Sequence, residues 1–117
     1  MSSSLNLNSA GTVLTNWKSK EVALCVAIEA EGLSISFCGF IVDVSTEALF
    51  VRNIDPWGMP QEQLLIKLKT IKTFEYYDAA ESTRSEYTDL CGLISSVLVM
   101  TGERMKFAVC ERVPSAR

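Results

Sequence analysis

The stretch that decides the fold is Glu21–Val44, EVALCVAIEAEGLSISFCGFIVDV. In its first half Val22, Leu24, Val26 and Ile28 alternate with Ala23, Cys25, Ala27 and Glu29. That two-residue rhythm is a β-strand's, with one face large and apolar and the other small. Glu31-Gly32 reads as a turn, and Ser34 to Val44 continues as a second strand with Ile35, Phe37, Gly39 and Ile41 on one face. A glycine inside so long a strand predicts a bend or bulge, as the curvature of a small barrel requires.

Further strands follow toward the C-terminus. Ser45-Thr46-Glu47 is a turn, and Ala48 to Ile54 is a third strand that stops at Asp55-Pro56-Trp57-Gly58-Met59-Pro60, where proline and glycine break any regular element. A fourth runs from about Gln63 to Tyr77, with an interruption expected around Thr70 to Thr73 because it exceeds the usual strand length. Asp78 and Glu81 stand at capping-box spacing, so a short helix is predicted after Asp78, with Ala80, Thr83, Tyr87 and Leu90 on one side. Leu93 to Met100 and Met105 to Arg112 form a final hairpin around Thr101-Gly102-Glu103-Arg104.

Toward the N-terminus, Val13, Leu14 and Trp17 give one apolar stripe, predicting a short helix over Ser9 to Trp17. Residues 1–8 are rich in Ser and Asn and are expected to be a flexible tail. Residues 9–117 then form a single domain, since a chain of 117 residues supports one hydrophobic core. The expected class is mainly β: a small, strongly bent antiparallel sheet or barrel of Sm-like or SH3 type, with a short N-terminal helix and an additional C-terminal hairpin.

Composition narrows the chemistry. Hydrophobic residues make up 48% and charged ones 21%, the balance of a folded chain. Histidine is absent, which removes the commonest general base, the usual partner of a nucleophilic serine or cysteine, and the commonest metal ligand. The four cysteines, Cys25, Cys38, Cys91 and Cys110, form no C-x-x-C pair and each lies in an apolar run; they are expected to be buried reduced thiols, with no metal site. Asp43, Glu47, Asp55, Glu75 and Asp78 fall near strand ends and turns, where acids serve as turn and cap residues. The glycines are isolated, without nucleotide-loop spacing. No enzyme and no cofactor are expected.

The formal charge of −3 disfavours nucleic acid and anionic membranes as partners of the whole surface. Lys18, Lys20, Arg52, Lys67, Lys69 and Lys72 are the candidates for anion or nucleic-acid contacts, and as lysines on solvated strand faces they also protect edges. Phe50, Trp57 and Met59 are candidates for an apolar interface. No apolar stretch reaches the length of a membrane span and the N-terminus has no signal-peptide pattern, so a cytoplasmic location is expected.

Leu14, Trp17, Lys20-Glu21-Val22, Phe37-Cys38-Gly39-Phe40-Ile41 and Leu49-Phe50-Val51, with Leu64 to Leu68, Ile71 and Phe74 further on, make the chain resemble an Sm-like domain, and uncharacterised bacterial Sm-like proteins in particular. The resemblance implies a ring of subunits binding uracil-rich RNA. Ser45 and Leu49 stand where that family places Asp and Asn, and no Arg-Gly lies near Ile71, so the property it carries to this chain is ring or dimer formation through paired edge strands. Asp43-Val44-Ser45-Thr46-Glu47-Ala48 is similar to the Asp/Asn-x-Ser-x-x-Gly motif of PilZ domains, which bind cyclic di-GMP. Here Ala48 replaces the glycine and no arginine precedes Arg52, which implies a degenerate, non-binding version. The expectation is a self-associating binding or assembly module, a homo-oligomer first and a binder of another protein second, with RNA or a cyclic nucleotide as the less favoured ligand.

Overall fold

The computed structural model describes residues 3–53, 63–78 and 94–112. In chain order they form β1 (Ser3–Leu5), α1 (Leu7–Ser19), β2 (Leu24–Ala30), β3 (Leu33–Val44), β4 (Ala48–Asn53), β5 (Gln63–Lys67), a 3-10 turn (Leu68–Thr70), β6 (Ile71–Asp78), β7 (Ile94–Gly102) and β8 (Met105–Arg112). The eight strands make one antiparallel sheet in the order β1-β6-β7-β8-β2-β3-β4-β5. Among the described residues the fold is mainly β with one helix, and the sheet does not close into a barrel.

The alternation in Glu21–Val44 does place two kinds of residue on two faces. Leu24 and Val26 join Ile41, Leu49, Val51, Ile66, Phe74, Leu98, Met100 and Val109 in the main core. Helix α1 covers it with Ala10, Leu14 and Trp17, four and three residues apart and so on one side of the helix. The opposite face carries Cys25 and Ala27 beside Ala108, Cys110, Val97 and Val99. Small side chains there match the small half of the alternation.

The helix runs two residues further at each end than the predicted Ser9 to Trp17. At its start the Asn6 side chain accepts the Ser9 N–H at 2.8 Å. At its end the N–H groups of Val22 and Glu21 donate to the carbonyls of Trp17 and Lys18, with Glu21 at φ 51°, the paired closure that a left-handed residue permits.

The expected flexible tail at residues 1–8 is corrected from Ser3 onward. Ser3, Ser4 and Leu5 pair with Tyr76, Glu75 and Phe74 of β6, and Leu5 and Leu7 pack on the core. Polar composition masked the two leucines that fix this segment. The expected interruption of the fourth strand is present, as the turn at Leu68–Thr70, slightly ahead of Thr70 to Thr73. The helix predicted after Asp78 lies outside the described residues. The expectation of reduced cysteines is corrected for Cys25, which is disulfide-bonded, while Cys38 and Cys110 are free thiols.

The sheet's curvature follows from its connections. β5 ends the sheet on one side, β6 is next to last on the other, and three residues join them. A 3-10 turn rises about 2 Å per residue, so the two margins are brought to within roughly 6 Å along the chain. Gly39 allows the bend, because a β-carbon there would collide with the Arg52 carbonyl of β4. A register shift between Ile41 and Asp43 adds a bulge.

Candidate functional site

Leu49, Val51 and Ile66 point into the core, so their neighbours Phe50, Arg52 and Leu65 face the other way. On that outer face Phe50 lies directly opposite Leu65 of β5 and Asp43 of β3, and Phe40 lies opposite Arg52, two residues along from Phe50. Leu65 is 47% exposed, and Phe40 and Val42 are each 40% exposed. Together they form an apolar strip over β3, β4 and the terminal strand β5, interrupted by the exposed Asp43 and Arg52. The predicted interface residue Phe50 is part of this strip, half-buried within it; Trp57 and Met59 lie outside the described residues. Phe40, Val42 and Leu65 were not singled out from sequence, since continuous apolar runs hide which alternate residue turns outward.

The six candidate cations are spread over several elements. Lys18 and Lys20 stand at the C-terminal end of α1, where positive charge complements the helix dipole. Lys18 reaches Asp43 at 3.9 Å, with both side chains well exposed, a pair that contributes little. Arg52 is opposite Gln63 and Lys67 is opposite Ala48, so the two lie at opposite ends of the β4–β5 pair, about 13 Å apart along the strand. Lys69 is in the 3-10 turn and Lys72 in β6.

The motif around Ser45 is occupied with holding its own hairpin. Ser45 Oγ accepts the N–H groups of Glu47 and Ala48, each at 3.2 Å, and Ser45 N donates to the Ala48 carbonyl at 2.9 Å. Asp43 Oδ1 accepts the Val44 N–H at 3.0 Å.

An open groove of about 810 Å³ flanks α1, with Trp17, Lys20, Thr46, Tyr76 and Glu111 among its walls. Glu111 is half-buried, and its Oε1 accepts the Trp17 indole N–H at 3.2 Å and the Ser96 hydroxyl at 2.9 Å. A carboxylate oxygen engaged by two donors serves as an anchor between helix and sheet. A second cleft of about 610 Å³ separates the β2–β3 and β7–β8 hairpin tips, between Gly32 and Arg104, with exposed Leu33 and Met105 on its walls. Among the described residues no group of three or more His, Cys, Asp or Glu could hold a metal ion.

The small-residue face carries a feature that spacing in the sequence did not reveal. Cys25 is directly opposite Cys38 on β3 and directly opposite Cys110 on β8. Three cysteines therefore lie in one row across adjacent strands. Cys38 is half-buried and Cys110 fully buried; desolvation pushes the Cys110 thiol up to about 12.

Compared with protein-family models, curated proteins and solved structures, the chain matches none.

Proposed function

We propose that this protein is a non-enzymatic binding and assembly module, and that it associates with a second copy of itself through the margin of β5 that no other described strand occupies. The observation that carries this reading is Leu65, nearly half exposed on a strand that ends the sheet and that pairs, among the described residues, with β4 alone. A terminal strand presents unpaired backbone N–H and C=O groups that template another strand. An apolar side chain at its centre adds burial on pairing.

The sequence of β5, Gln63-Leu64-Leu65-Ile66-Lys67, suits two-fold antiparallel pairing. Centred on Leu65, such a ladder sets each Leu65 against its counterpart and each Lys67 against a Gln63, with no like charges opposed. The Phe50–Leu65 strip of one copy then continues into that of the other. The margin at β1 is the weaker alternative, because that strand has only three residues. The absence of histidine and the engagement of Glu111 by Trp17 and Ser96 support a binding role over a catalytic one.

The test is light scattering across protein concentration, on the native chain and on Leu65→Lys. A dimer that Leu65→Lys converts to monomer, at unchanged circular dichroism and at both low and high salt, supports the reading. A monomer at every concentration, or a dimer indifferent to Leu65→Lys, overturns it. An absorbance peak at 260 nm that salt removes points instead to nucleic acid.

A further inference from the structure

We propose that the first half of β3 is a second self-pairing edge, on which two copies of this chain meet at Ile35. The contact is separate from the β5 pairing and does not depend on it. Residues 33–38 lie against β2, and β4 joins β3 only from Gly39 onward, so no other described strand occupies that stretch. Its side chains are open on both faces: Leu33, Ser34, Ile35 and Ser36 are all exposed, Leu33 by 56% and Ile35 by 46%. A strand edge of this kind accepts a further strand.

The inner face of the sheet is left uncovered at the same place. Strand register sets Phe37, Val26 and Val109 in one row across β3, β2 and β8, and Leu33, Ala30 and Met105 in the row that ends the three strands. Val26 and Val109 are fully buried in the main core, whereas Met105 is 42% exposed beside Leu33. The apolar face of the core therefore runs on past its cover.

The edge is built to take its own copy. Leu33-Ser34-Ile35-Ser36-Phe37 alternates apolar and serine and has the same pattern in either direction. Antiparallel two-fold pairing centred on Ile35 sets Ile35 against Ile35, Ser34 against Ser36 and Leu33 against Phe37 of the copy, apolar with apolar on one face and serine with serine on the other. Residues 33 to 42 carry no charge, so the ladder opposes no like charges and lacks the lysines that guard an edge. The copy's turn at Glu31-Gly32 falls beside Cys38, just short of Gly39 where β4 begins. A ladder of five pairs, about 17 Å long, buries less than the roughly 800 Å² per partner of a stable complex. The contact is accordingly weak and forms at high concentration.

The test is hydrogen–deuterium exchange by mass spectrometry, with light scattering, on the native chain at about 10 µM and about 1 mM. The expected result is exchange at residues 33–37 slowed by at least about fivefold at the higher concentration, with the mass rising over the same range. Ile35→Lys, which brings two lysines face to face, removes the slowing at those residues, and Leu33→Lys reduces it. Exchange at residues 33–37 that is unchanged by concentration, or slowing that survives both substitutions, overturns the proposal. Slowing at Gln63–Lys67 reports the β5 contact by itself, so either contact can fail and leave the other standing. The comparison of the native chain at two concentrations decides the matter even where a variant fails to fold.

Discussion

The indole N–H of Trp17 and the carboxylate of Glu111, 94 residues apart in sequence, meet at 3.2 Å and tie the helix to β8 in the middle of the sheet. Ser96 donates to the same oxygen. Glu111→Ala leaves both donors without their acceptor, and the expected loss is about 1 to 3 kcal/mol of stability. Glu111→Gln keeps an acceptor oxygen and should lose clearly less. Urea denaturation of the two variants checks the order; equal losses would show that packing of the side chain, and not acceptance by its oxygen, is what matters.

Gly39 is close to the Arg52 carbonyl across the β3–β4 pair, with backbone on the side where a β-carbon would project. Backbone cannot swing away as a flexible side chain can. Gly39→Ala is expected to cost about 2 to 3 kcal/mol, against Gly11→Ala, which meets nothing within 4 Å and replaces glycine in a helix with a better helix former. Thermal melts of both should move in opposite directions, and a neutral Gly39→Ala would contradict the tight β3–β4 approach.

Burial raises the Cys110 thiol from its ordinary 9.0 to about 12. Between those values the unfolded chain releases a proton that the folded chain retains, so rising pH favours unfolding. The stability is intact below about pH 9 and falls as the pH climbs toward 12. By pH 10 the loss is on the order of 1 kcal/mol. Cys110→Ala lacks this dependence, so the stability difference between it and the native chain should shift by that amount between pH 8 and pH 10. A constant difference would mean that the folded thiol ionises as readily as the unfolded one.

Local rules made most of the strands legible. The alternation of Val22 to Ile28, the turn at Glu31-Gly32 and the hairpin at Thr101 to Arg104 are written in consecutive residues, and Gly39 announced the bend in β3. Three features depend on partners distant in sequence and so had no local signal. Ser3–Leu5 is a strand only because β6 offers its margin, 70 residues on. The exposure of Phe40 and Leu65 is set by where the sheet ends. The row of Cys38, Cys25 and Cys110 exists because β8 inserts beside β2.

That insertion also orders events in time. β2 is bordered by β3, which follows at once, and by β8, whose residues are made some 80 positions later. As the chain leaves the ribosome, β2 must therefore wait with one side unsatisfied until Met105–Arg112 emerges. The middle of the sheet is the last part to be completed, so a nascent chain halted before β8 holds a helix and hairpins in place of the finished domain, with β2 and β7 both open to misplaced pairing.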